Sequence, residues 1–191
     1  MPRLLVALVV FAGALAVGSS TASTAPPPAT LVVTSLADTG PGSLRQAIAD
    51  AAPGDTIDFG VSGTIMLTSG ELAIGKSLQL RGPAGNHVTV SAVPGGGSRV
   101  MRIAAGTLTI TDLTITNGHV ACCLADDVGG GILNEAGLRL VRSTVSQNVA
   151  PIGGGVYTSA AGARIRGVQR VATHVRMRLS HWRLSGSRVR S

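Results

Sequence analysis

The sequence predicts an all-β chain: a right-handed parallel β-helix, or solenoid, entered through one short amino-terminal capping helix. Three observations lead there. Hydrophobic periodicity switches to two after Asp55, segments repeat at fixed offsets, and the composition is rich in Gly and poor in aromatics. Of 191 residues, 26 are Gly, 45% are hydrophobic and only 2% are aromatic. The core must therefore be built from Val, Ile, Leu and Ala, with frequent turns between short strands.

The elements follow in chain order. Arg3, the apolar run Leu4 to Val17 and the small residues of "SSTASTA" have the order of a secretory signal peptide over residues 1–25. As a helix that run would span about 21 Å, short of the roughly 30 Å hydrocarbon core, so a cleaved signal is expected rather than an anchor. Secretion or display at the cell surface follows, with no further segment apolar enough to span a membrane. Residues 26–30 make a Pro-rich spacer. "LVVTSL" is then a strand and "ADTGPG" a turn.

A single helix is expected over 43–52. Ser43 followed by Gln46 fits a capping box, Leu44, Ala47, Ile48 and Ala51 form one apolar face at i, i+3, i+4 and i+7, and Pro53-Gly54 ends the run. Asp38 and Asp50 flank it and are read as unpartnered. Beyond Asp55, "DTIDF", "TIMLT", "SLQLRG", "HVTVSA", "RVMRIAAG", "TLTITDLTIT" and "LRLVRSTVS" are short alternating runs broken by Gly, Pro, Asn or Ser.

Repeats decide between a sandwich, a barrel and a solenoid. "LTITDLTITNG" at Leu108 aligns with "LRLVRSTVSQN" at Leu138, placing Leu108 over Leu138, Ile110 over Leu140 and Ile115 over Val145 at an offset of 30. "GGGIL" at Gly129 recurs as "GGGVY" at Gly153, an offset of 24. A coil of about two dozen residues with a loop of variable length results, and neighbouring coils stack at about 4.8 Å. Gly129, Gly130, Gly131, Gly153, Gly154 and Gly155 are expected at corners that need positive φ or close backbone approach. The Leu44/Ile48 face is expected to cover the open apolar end of the first coil.

"DTGPGSLRQAIADAAPGDTIDF", "SGTIMLTSGELAIGKSLQLRGP", "LTITNG" and the two "GGG" segments together carry a family resemblance. Over Leu31 to Gly162 the chain resembles the amino-terminal part of bacterial secreted proteins with a CSLREA-type domain and right-handed parallel β-helix repeats, similar to those of polymorphic outer-membrane proteins. "GSLRQAI" stands at the signature, with Gly42 in place of Cys and Gln46 in place of Glu. The resemblance implies the fold and export. It also implies a longer protein with more coils and a carboxy-terminal anchor, so the domain expected here, 31–162, is a fragment.

The formal charge of +7 is concentrated at one end. Residues 24–160 carry seven basic and nine acidic side chains, whereas 161–191 carry eight Arg and no acid. Residues 163–191 are read as an atypical, disordered tail, with translation outside the repeat's reading frame as its expected origin. A solvated extension is the second reading. A basic arm for nucleic acid or an anionic surface, with Trp182 to stack, is the third.

Chemistry on a β-helix would be carbohydrate cleavage. A lyase needs clustered carboxylates for Ca²⁺ beside a basic residue, and a glycosidase needs two carboxylates across a cleft. Asp126, Asp127 and Arg139 are the candidates for a lyase or hydrolase of the pectin-lyase-like fold, with Asp126 and Asp127 a weak Ca²⁺ pair. Arg142, Asp112 and Glu135 are conceivable additions. The expectation is nevertheless a non-catalytic structural or adhesive rod without cofactor. Its expected ligand is an extracellular glycan or protein, with nucleic acid disfavoured as a partner. Self-association is expected through an uncovered last coil near Val156. Adjacent Cys122 and Cys123 cannot close a long loop and make a weak metal motif. His87 and His119 are read as loop residues.

Overall fold

A computed structural model of the chain describes residues 27–85, 87–121 and 127–159, together with the backbone of strands at 164–165 and 170–172. The expected signal peptide, Cys122, Cys123 and Asp126, and the rest of the tail lie outside the described residues.

The chain is a parallel β-solenoid of about five turns with a single short helix among the described residues. β1 (Thr30–Val33) and α1 (Leu44–Asp50) precede the first full coil, β2 (Thr56–Phe59), β3 (Gly63–Leu67) and β4 (Leu72–Ile74). The second coil is β5 (Leu78–Arg81), β6 (Val88–Ala92) and β7 (Met101–Ile103), and the third is β8 (Thr107–Thr111), β9 (Leu113–Thr116) and β10 (Ile132–Asn134). The fourth is β11 (Gly137–Val141), β12 (Thr144–Ser146) and β13 (Val156–Thr158), followed by β14 (Arg164–Ile165) and β15 (Arg170–Ala172).

Every strand pair is parallel, and the strands stack into three sheets: β1-β2-β5-β8-β11-β14, β3-β6-β9-β12-β15 and β4-β7-β10-β13. Period-two alternation gives each strand one inward column. Ile57, Leu80, Ile110 and Leu140 stack in the first sheet, Ile65, Val90, Ile115 and Val145 in the second, and Leu72, Met101 and Ile132 in the third. All are buried in one continuous core, where each such side chain contributes roughly 1.5–3 kcal/mol by leaving water. Leu108 over Leu138, Ile110 over Leu140 and Ile115 over Val145 are the observed registers, so both sequence repeats are successive coils. The offset of 24 appears where Ile132 pairs with Val156.

Strand pairing runs past residue 162, where repeat identity ends. Arg164 and Ile165 pair with Arg139 and Leu140, and Arg170 to Ala172 with Thr144 to Ser146. A parallel ladder is made by backbone groups, so a strand can be continued where sequence similarity has faded.

The helix seals one end. Leu44, Ala47 and Ile48 are buried and belong to the core cluster. Ser43 is the N-cap, its Oγ accepting from the Gln46 N–H at 3.2 Å. The expected capping box is only half made, because the Gln46 amide donates to Asp50 Oδ1 at 2.7 Å and the Ser43 N–H donates to the Gly40 carbonyl. Asp50 is thus partnered, contrary to the sequence reading. The helix ends at Asp50, before 52, because Ala51 turns extended. Lys76 Nζ donates to the Ala49 and Ala51 carbonyls there, a cation at the negative end of the helix.

Candidate functional site

Site geometry begins at the corners, where the chain turns between sheets. Asp112 alone separates β8 from β9, and it does so with φ 54°. Arg142, followed by Ser143, makes the corresponding corner between β11 and β12 at φ 46°, and Asn117 and Gln147 repeat the positive φ after β9 and β12. Asn and Asp tolerate this conformation, Arg and Gln less readily. Stacking compensates: Arg142 makes a bidentate pair with Asp112 at 2.9 and 2.6 Å, and Thr116 donates to Gln147.

The third corner is made by the glycine triplets. Gly129 and Gly153 have φ of 66° and 64°, and both fold against the strand that follows them: a Cβ there would meet Leu133 or Tyr157. A Cβ on Gly130 or Gly131 would overlap the backbone of Val149 or Gly155 in the next coil. Fully buried Asn148 fills the space that the glycines leave. Its Oδ1 accepts from the Gly118 N–H at 2.8 Å and its Nδ2 donates to the Ile115 carbonyl at 3.2 Å, tying the fourth coil to the third.

Carboxylates occupy positions between coils. Asp58 pairs with Arg81, Glu71 with Arg99, Asp112 with Arg142 and Glu135 with Arg102. The Asp58–Arg81 and Asp112–Arg142 pairs hold their guanidinium pKa values up, the hydrogen bond to each carboxylate acting first and its charge second. Asp112 and Glu135, conceivable members of a hydrolytic pair, are therefore struts between coils. Asp127 and Arg139 are not neighbours in the fold. Asp127 precedes Val128 on the approach to the third sheet, whereas Arg139 stands exposed on the first. Their partner Asp126 lies outside the described residues. No group of three His, Cys, Asp or Glu able to hold a metal occurs among the described residues.

One polar network was missed by the sequence reading, which took Asp38 as unpartnered. Its carboxylate accepts from Arg45 Nε and Nη2 at 3.0 and 2.8 Å, from the Thr68 and Ser69 N–H groups at 2.9 and 2.6 Å, and from Thr68 Oγ. Arg45 also donates to the Gly70 and Glu71 carbonyls. Burial alone would raise the Asp38 pKa, but the hydrogen bonds from Arg45 and Ser69, with the Arg45 charge, outweigh it and hold the carboxyl at about 2. Beside this network a shallow groove of about 330 Å³ runs between α1 and β4, lined by Ile48, Leu72 and Lys76 among others.

Comparison of the chain with family models, curated proteins and solved structures found no match.

The outer face of the first sheet is one of the regular polar surfaces that the fold builds, beside the threonine file Thr64, Thr89, Thr114 and Thr144 on the second. Thr30, Thr56, Gln79, Thr109 and Arg139 stand in one register file, with Arg164 as the next register partner. Gln79 and Arg139 are exposed, and Thr56 and Thr109 are half-buried. Because the repeat was visible only in part, this file could not be assembled from sequence: coil lengths vary, and only the paired register shows which residues share it.

Proposed function

We propose that the chain is part of an exported, non-catalytic structural or adhesive rod that presents one polar flank to an extracellular ligand. The observation that carries this reading is the use of Asp58, Glu71, Asp112 and Glu135 as struts between coils beside a continuous polar file on the first sheet. Two of the carboxylates that a hydrolytic pair could have used, Asp112 and Glu135, are engaged in holding the rod together. The file is repeated, shallow and open, which suits attachment over several coils. A right-handed coil is favoured because parallel crossover connections take that hand in about 98% of cases. Export rests on the order Arg3, apolar run and small residues at the amino terminus.

Two measurements test it. Expression in a bacterial host with cell fractionation should give a product outside the cytoplasm that lacks residues 1–22 or 1–25 by mass. Incubation with polyuronates and neutral polysaccharides should release no new reducing or unsaturated ends. Cleavage by the wild type that disappears in Asp127→Ala would replace this reading with a carbohydrate-active enzyme.

A further inference from the structure

We infer that the outer face of the first sheet around Arg139 is the attachment site for an acidic polysaccharide, an inference that rests on the non-catalytic reading above. Among the described residues, Arg45, Arg81, Arg99, Arg102 and Arg142 each pair with a carboxylate, and Lys76 donates to helix carbonyls. Arg139 alone among those cations has neither. It is exposed, and its register partner on the following strand is a second arginine, Arg164.

The other end of the file fixes the kind of polymer. From Arg139 the register runs back through Thr109, Gln79 and Thr56 to Thr30, hydroxyls and an amide at one step per coil. Such a file offers hydrogen bonds to sugar hydroxyls along its length and a guanidinium fork for a carboxylate or sulfate at its end. It holds no ring on which bases could stack, so a nucleic acid would gain only phosphate contacts. Nor does it form an apolar patch for lipid, since Val32 and Val141 are separated by Asp58, Arg81 and Thr111 in the adjoining register file.

The test is binding of the full chain to polygalacturonate, measured by affinity electrophoresis and calorimetry, with dextran and duplex DNA as comparison polymers. Arg139→Gln should weaken polygalacturonate binding about tenfold, the loss expected for charge-assisted hydrogen bonds. Arg81→Gln, on the same sheet but paired with Asp58, should change it less than twofold, and both variants should keep the wild-type circular dichroism spectrum. Dextran should bind more weakly than polygalacturonate. Equal binding by wild type and Arg139→Gln, or duplex DNA binding as tightly as polygalacturonate with the same dependence on Arg139, would overturn the assignment. Release of unsaturated ends in the same mixtures would overturn the non-catalytic reading instead, so the two failures are distinguishable.

Discussion

Replacing Asp38 by Ala removes one buried carboxylate that accepts five hydrogen bonds and joins three segments: the turn before α1, the helix through Arg45, and the β3–β4 turn at Thr68 and Ser69. Two backbone N–H groups lose their acceptor, at roughly 1–3 kcal/mol each where no water replaces it. Arg45 loses its counter-charge but keeps the Gly70 and Glu71 carbonyls, which moderates its share. The expected loss is about 3–5 kcal/mol, the range for breaking a buried pair by deleting one member. Urea unfolding at pH 7, followed by far-ultraviolet circular dichroism at several protein concentrations, reads it directly. The same carboxylate predicts a pH dependence. Its folded pKa of about 2 lies below the ordinary 3.8, so its stabilisation is complete above pH 4 and is lost as pH falls through 2. At about 1.36 kcal/mol per unit this amounts to about 2.5 kcal/mol, and Asp38→Ala should flatten that part of the wild-type curve. A loss below 1 kcal/mol at pH 7, or an unchanged acid limb in the variant, would refute the account of the cap.

Further outcomes are expected elsewhere. Ile110→Ala, in the middle of the first-sheet column and fully buried, should cost about 2–5 kcal/mol in urea unfolding. Gly131→Ala would force a Cβ against the Gly155 carbonyl and the Asn148 amide and should destabilise by more than about 1 kcal/mol, whereas Gly75→Ala, which meets open space, should stay within about 0.5 kcal/mol. Asn148→Leu should cost about 1–3 kcal/mol by orphaning the Gly118 N–H, and amide hydrogen exchange at Gly118 should accelerate.

The sequence contained the fold where backbone geometry leaves a periodic mark. The aligned repeats placed Ile110 with Leu140 and Ile115 with Val145, and the offset of 30 was the true register of two coils. Registers between the first and second coils were hidden, because Thr56 pairs with Gln79 at a shorter spacing and the two segments share few residue types. Positive φ at Asp112, Asn117, Arg142 and Gln147 was equally silent: such corners are usually announced by Gly, and none stands at these positions. Asp38 and Arg45 lie within the segment that carried the family resemblance, yet their partners Thr68, Ser69, Gly70 and Glu71 come a coil later. Gly42, which departs from that signature, has φ 75° and would press a Cβ onto Thr34, so its own conformation accounts for glycine there.

The corner between the second and third sheets has a use of its own. After β9 the chain travels from 117 to 131 before re-entering the third sheet, and after β12 it needs only 147 to 155 for the same journey. Both excursions start from a residue of positive φ and finish on a glycine triplet, and the strands beneath them remain in register. The corner is therefore a socket whose contents can change while its rim is held. Lengthening a loop costs slowly with size, so a foreign peptide grafted between Ala150 and Pro151 should be carried without disturbing the stack. Modular display of unrelated sequences on one invariant rod is what such a socket makes physically possible.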